Sequence, residues 1–254
     1  MSGHWKADDY AAHSKGQAVW AKELIEAIGL KGDESILDIG CGDGKITNML
    51  SQLTNGEVVG VDFSPEMIAY AKETFSKPHF RQMDAQALSF NERFDVVFSN
   101  AALHWAKDHD AIVQGIFNAL KPKGRAILQM GGAGNGEKVF EALHQILPAY
   151  AAYFEGFESP YTFHSDKTYE SLLSKKGFSA YQARLIPKEM VHENLQAFRG
   201  WLETTWFPFI DRIPREKKTT FIEAWIEAYV ALCPLDEKGC VHIGMMRLQV
   251  EMCK

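Results

Sequence analysis

The stretch that most constrains this chain is Ile36-Leu37-Asp38-Ile39-Gly40-Cys41-Gly42-Asp43-Gly44-Lys45. An apolar run ending in Asp38 reads as a buried strand. Glycines at three alternate positions then make a sharp turn. Ile46, Met49, Leu50 and Leu53 follow at helical spacing, so the turn opens a helix. A strand, a glycine turn and a helix N-terminus hold a small ligand at the carboxyl edge of a parallel sheet. Gly40 and Gly42 let the backbone come close to that ligand with no Cβ in the way. The dinucleotide pattern G-x-G-x-x-G would need a glycine where Lys45 stands, which weakens a pyrophosphate reading. A plain helix-capping turn is the alternative.

The rest of the chain reads as alternating strands and helices. Glu57 to Asp62 is a second buried strand ending in an acid. Asp62 lies 22 residues beyond Gly40, where a carboxylate can accept both hydroxyls of a ribose. Ser64-Pro65 starts a helix, with Ser64 as cap and Pro65 in the first turn. His79 to Met83 is a third strand. Asp84 after it can bond an adenine amine or simply cap a turn. Phe94 to Ser99 is strand four and runs into Asn100-Ala101-Ala102-Leu103-His104-Trp105. A helix over 109–120 ends at Lys121-Pro122-Lys123-Gly124, and Ala126 to Met130 is strand five. Four glycines between Gly131 and Gly136 suggest a hinge. Helices are expected over 137–157 and from Ser165 to Lys176, and strand six over Phe178 to Ile186. Residues 192–233 read as helical and aromatic, and Val241 to Met252 as a final strand. The expected fold is α/β: a Rossmann-like, seven-stranded, mostly parallel sheet with helices on both faces, an antiparallel last strand and a helical insertion before it. Within one domain of 254 residues we expect a lid helix in 1–30, a core over 31–186, a substrate-cap insertion over 187–236 and the final strand in 237–254. A helical pair that only covers the sheet edge or makes a dimer contact is the plainer reading of the insertion.

Composition narrows the function. A net charge of −6 with no basic run argues against a nucleic-acid partner. Cys41, Cys233, Cys240 and Cys253 form no C-x-x-C pair, so neither a metal nor a disulfide framework is signalled. No apolar run reaches membrane-spanning length. The expectation is a cytoplasmic protein, monomeric or weakly dimeric, acting on a small molecule.

These ordered motifs resemble those of class I S-adenosylmethionine-dependent methyltransferases over nearly the whole chain. Leu37 to Gly42 with Gly44 is similar to their first motif, and Gly60-Val61-Asp62-Phe63-Ser64-Pro65-Glu66-Met67 to their second-strand motif. Phe94 to Val97, Leu103-His104-Trp105 and Leu120 to Arg125 resemble the later ones. Within the class, Trp5, Tyr10, Ser14 and the stretch from Asn100 to Trp105 resemble trans-aconitate methyltransferases. Phe207-Pro208-Phe209 and Arg212-Ile213-Pro214 are similar to juvenile hormone acid methyltransferases. The resemblance implies S-adenosyl-L-methionine as donor and S-adenosyl-L-homocysteine as product. It implies donor contacts from Asp38, Gly40, Cys41 and Gly42, with Asp62 on the ribose and Phe63 and Met67 packing the adenine. Asp84 and Ala85 read the adenine edge, Asn100 and Ala101 line the floor, and Tyr10 and Ser14 close a lid. Trp105, Trp201, Trp206 and Phe207 are the expected acceptor contacts.

Both groups methylate carboxylates, which need no base. An amine or hydroxyl would need one, with His104 the candidate; a structural role for His104-Trp105 is equally open. The crowd of aromatics in the insertion suits an apolar acid. A polycarboxylate would want two or more arginines from Arg199, Arg212, Arg215, Arg184 and Arg247. A non-catalytic donor-binding module and a Rossmann oxidoreductase are the readings from other classes.

Overall fold

The computed structural model describes residues 15–254. The N-terminal residues expected to form a lid, Tyr10 and Ser14 among them, lie outside the described residues. The first described helix is α1 (Lys15–Ile28). The sheet follows as β1 (Ile36–Ile39), β2 (Val58–Asp62), β3 (His79–Gln82), β4 (Phe94–Asn100), β5 (Leu120–Gly131), β6 (Ala180–His192) and β7 (Val241–Cys253). Among these strands run α2 (Lys45–Gln52), α3 (Pro65–Thr74), α4 (His109–Ala119), α5 (Glu137–Ile146), α6 (Asp166–Leu173), α7 (Leu195–Thr205), α8 (Phe207–Ile210) and α9 (Arg215–Leu232).

The seven strands lie in the order β3-β2-β1-β4-β5-β7-β6. β1 pairs in parallel with β2 and β4, β2 with β3, and β4 with β5, whereas β7 runs antiparallel to β5. The chain leaves β1 in one direction and returns to its other side at β4. That reversal opens a crevice at the carboxyl ends of β1 and β4.

Alternate residues of a strand point to opposite faces, and both faces of this sheet are covered. Ile36, Val58, Val96, Phe98 and Ile127 pack with Leu24, Ile25 and Ile28 of α1 and Leu50 of α2. Leu37, Ile39, Val59, Val61 and Val97 pack with Ile112, Val113 and Ile116 of α4 and Tyr169 and Leu173 of α6. Burial on both faces is why these strands read as unbroken apolar runs.

Three boundaries differ from the sequence reading, all at prolines; in the first, β5 begins at Leu120 and takes in Lys121-Pro122-Lys123-Gly124, expected as a turn. The helix expected over 137–157 is α5 followed by a 3₁₀ segment, Leu147–Tyr153. Pro148 has no N–H for the next α-helical bond and disfavours helix at the residue before it. Pro187, expected to end strand six, lies inside β6. β6 is an edge strand, where a missing donor costs no ladder bond on its open side.

The chain divides into two compact units. One contains residues 161–186, 247–254 and the described residues before 134. The other contains 134–160 and 187–246, so it takes in α5 and the 3₁₀ segment besides the expected insertion. The division falls within the glycine stretch 131–136. No helix among the described residues is long and apolar enough to cross a membrane.

The helical unit accounts for the aromatics of the insertion. Trp201, Trp206, Phe209, Phe221 and Trp225 are all buried, at 5% exposure or less. Trp206 meets Phe140, Trp201 and Trp225 edge to face, with centroids 4.7, 5.9 and 5.4 Å away. The Trp225 indole N–H donates to the Val139 carbonyl at 3.0 Å. The expected acceptor contacts Trp201 and Trp206 are therefore core residues, because α5 and the 3₁₀ segment supply partners the sequence reading had not given them. Phe207 stays half-buried. Truncating Trp206 to Ala is expected to cost about 3–5 kcal/mol of stability. Urea unfolding checks this; an unchanged midpoint would show that the ring packs against nothing that matters.

Candidate donor and acceptor site

The glycine turn after β1 is built by close approach. Gly40 and Gly42 have φ of 74° and 51°. A Cβ on Gly40 would lie 2.1 Å from the Ala102 Cβ, so Ala102, just past β4, fills the space a side chain would need. A Cβ on Gly42 would meet nothing within 4 Å. Gly40 is thus glycine for packing, and Gly42 faces open space. Ala101, itself at φ 58°, turns the chain after β4 so that Ala102 reaches that slot. Its N–H donates to the Gln129 carbonyl at 2.7 Å. Asn100 ends β4 opposite Gln129.

Asp62 ties this turn to the end of β2. One carboxylate oxygen accepts the Gly42 N–H and the other the Ser64 N–H, each at 2.9 Å. Ser64 caps α3 by accepting the Met67 N–H at 3.2 Å, as its place before Pro65 leads one to expect. Burial raises the Asp62 pKa, and the backbone bonds from Ser64 and Gly42 oppose that rise. Phe63 beside it is 64% exposed, a large apolar face left open next to an acid. Met67 is buried. Cys41 packs with Ile68, Ala71 and Phe80, as a small interior residue. Asp84 accepts the Gln86 N–H at 2.8 Å and caps the short 3₁₀ turn that begins at Ala85.

Asp38 sits behind the turn at 2% exposure and accepts the Thr47 hydroxyl at 2.6 Å. Burial pushes its pKa up to about 7, against the Thr47 bond and with help from the Asp62 charge. The two carboxylates flank the turn from within.

On the other side of the crevice, His104 and Trp105 form a 3₁₀ turn after β4, Leu103–Trp105. The His104 carbonyl accepts the Thr162 N–H at 2.8 Å, which threads residues 161–163 alongside. Tyr161 meets the Trp105 ring edge to face at 4.7 Å and stacks on Phe163 at 5.5 Å. The His104 ring is tilted against all three. It is buried, and its Nδ1 accepts the Gly131 N–H at 3.4 Å. Burial, then the charge of Arg247, then that of His109, push its pKa down to about 3. Arg247 stands on β7 opposite Gly131, with its guanidinium 5.3 Å above the Trp20 ring. Tyr161 and Phe163 were not singled out by the sequence reading. Their alternate spacing was the available signal, but nothing local points that pair at a histidine some sixty positions earlier.

A strand, a glycine turn with open ground before Gly42, and an acid with an exposed aromatic beside it would suit a nucleoside-bearing ligand. The methyltransferase-domain family model matches residues 37–128. An uncharacterised methyltransferase of Schizosaccharomyces pombe is 33% identical over 256 aligned residues, 96% of each chain. Trans-aconitate 2-methyltransferase of Escherichia coli is 25% identical over 251, again 96% of each. Among solved structures, the YcgJ protein of Bacillus subtilis superposes with a TM-score of 0.65 at 19% identity, over 93% of this chain and 98% of that one. Phosphoethanolamine N-methyltransferase 2 of Haemonchus contortus, solved with phosphomonomethylethanolamine and S-adenosylhomocysteine, gives 0.64 at 20% identity over 98% of this chain and 56% of that one. At those identities the structures speak to the fold. The chain belongs to the class I S-adenosylmethionine-dependent methyltransferases, and it is an enzyme that draws its methyl group from that donor.

Two predictions follow from the donor side. Asp62→Ala is expected to weaken S-adenosylhomocysteine binding by ~1–3 kcal/mol, through the lost charged hydrogen bonds. Calorimetry with unchanged affinity would move the ribose anchor elsewhere. Asp38 gives a pH signature. Its folded pKa lies above that of the unfolded chain, so between about pH 4 and about pH 7 the native state binds the extra proton. Stability from this group is full below that window and is lost as pH rises through it. Asp38→Asn should therefore gain stability relative to wild type as pH rises from about 4 to about 7. Parallel urea midpoints for the two proteins across that range would show that Asp38 ionises normally.

Proposed function

We propose that this enzyme O-methylates the carboxylate of a small, mostly apolar acid. The state of His104 carries this reading. Methyl acceptors divide by whether they must lose a proton. An amine or hydroxyl must, and a positioned base with a pKa near the working pH serves that need. His104 has its Nδ1 engaged by a backbone N–H, so a neutral ring carries its proton on Nε2. With a pKa near 3 it is a weak base at neutral pH. His109, bonded to the Tyr169 hydroxyl at 3.3 Å, is pushed down to about 4 by burial. Burial raises Tyr161, which keeps its phenol protonated. A carboxylate is already ionised and asks nothing of these groups.

The donor, when bound, supplies an electrophilic methyl on a sulfonium. The chain's contribution is then mainly alignment, which can supply about 7–11 kcal/mol. Gly40, Gly42, Asp62, Phe63, Asp84 and Asn100 are placed to hold the donor. Trp105, Tyr161 and Phe163 offer apolar surface for the body of the acceptor, the part first assigned to Trp206.

Relatives named for trans-aconitate supply the second reading, a polycarboxylate acceptor. Three of the five arginines offered for it are engaged elsewhere. Arg199 pairs with Glu203 and Glu223, Arg184 pairs with Glu251, and Arg212 donates to the Tyr153 carbonyl and lies over Phe157. The reading keeps a cytoplasmic setting and no nucleic-acid partner, in line with the net charge of −6.

With an acid as acceptor, kcat/KM should be flat from about pH 6 to about pH 9, and His104→Gln should keep most of its kcat. A basic limb, together with a ~100-fold or larger loss in His104→Gln, would restore His104 as the base. Competition between trans-aconitate and apolar acids separates the two carboxylate readings.

A further inference from the structure

Gln86 joins the turn after β3 to the turn after β4. Its amide oxygen accepts the Asp108 N–H at 2.8 Å and the Lys107 N–H at 3.2 Å. Its amide nitrogen donates to both Asp84 carboxylate oxygens, each at 3.3 Å, and its backbone N–H donates to Oδ1 at 2.8 Å. These partners fix which end of the amide is which. A backbone N–H only donates and an ionised carboxylate only accepts, so oxygen faces 107–108 and nitrogen faces Asp84. A second contact holds the same elements together. A Cβ on Gly115 of α4 would lie 3.0 Å from the Leu88 Cβ, so the helix presents a glycine where the chain leaves the 3₁₀ turn at Ala85–Ala87. Asp108 caps α4 by accepting the Ala111 N–H at 2.9 Å. Lys107 and Asp108 lie one residue beyond the Leu103–Trp105 turn, so what holds them holds the exit of the turn that carries His104 and Trp105.

We propose that Gln86 is a positioning residue through which bound donor orders the turn carrying Trp105. This rests on the reading of Asp84 as a donor contact. A carboxylate has about four acceptor sites. Gln86 meets two on Oδ1 and one on Oδ2, which leaves Oδ2 a lone pair for a donor amine. An amine there fixes the carboxylate plane. Gln86 then has a fixed partner at one end while it holds two backbone N–H groups at the other. Order imposed at Asp84 reduces the entropy lost when an acceptor meets Trp105, with no change of shape required. A glutamate would accept the same two N–H groups, but it would set a like charge against Asp84 and offer it no donor.

The test reads amide hydrogen exchange by NMR at Lys107 and Asp108, in wild type, Gln86→Met and Gln86→Glu. Each protein is measured alone and saturated with S-adenosylhomocysteine. In wild type the ligand should slow both amides at least about fivefold. Gln86→Met removes both ends of the bridge, and the slowing should fall below about twofold. Gln86→Glu keeps the acceptor and loses the donor. Its ligand-free rates should stay within about threefold of wild type, while the slowing by ligand is lost. Either variant decides if the other does not fold. A side chain that only braces the fold would speed exchange equally with and without ligand. That result overturns the proposal, as does a wild type whose two amides ignore the ligand. Asp84→Ala tests the reading beneath it and should weaken S-adenosylhomocysteine about tenfold. Unchanged affinity there overturns the Asp84 contact and the proposal with it. Weakened affinity, with the slowing retained in a folded Gln86 variant, overturns the proposal alone.

Discussion

The structure depends most on the Asp62 carboxylate. It accepts one N–H from the turn after β1 and one from the turn after β2, and so holds two loops in register at the carboxyl edge of the sheet. Hydrogen bonds to a charged group are worth about 1.5–3 kcal/mol each, more than most loop contacts. Their benefit is set against burial, which raises the pKa of the same group. The two oxygens retain further lone pairs, so the residue that ties the two turns also has hydrogen-bond acceptor capacity left. The Gly40 slot filled by Ala102 locks the loop after β4 onto the same turn. The turns after β1, β2 and β4 meet at one junction.

Past that junction the chemistry changes character. The turns after β1 and β2 are built from backbone amides and carboxylates. The turn after β4 is lined by aromatic rings, a buried histidine and a buried guanidinium. Burial holds the His104 pKa down and the Tyr161 pKa up, so both groups stay uncharged near neutral pH.

The aromatics of the helical unit show how composition can mislead. Six large rings between Trp201 and Trp225 exceed what two helices need, and from sequence they suggest a walled pocket. The unit also recruits α5 and the 3₁₀ segment, whose Phe140, Tyr150 and Phe154 meet those rings. Their positions lie roughly 30 to 50 residues upstream of the insertion, across β6, so no short window of sequence could count them in.

What the sequence determined by itself was short-range. The strand, glycine turn and helix at 36–52, the acid ending β2, the Ser64 cap and the seven strands follow from apolar runs, turn residues and caps, each settled within about ten residues. Only the tertiary structure decided which rings face each other, that Thr162 sits against His104, and that Arg247 lies over Trp20 beside Gly131. These contacts join residues tens to hundreds of positions apart. They are fixed by strand order and by which surfaces can be buried together, and side-chain type does not encode that where it stands in the chain. The same reason separates Asp62, whose place at a strand end is legible, from Arg247, whose place beside Gly131 depends on a strand that returns antiparallel from the far end of the chain.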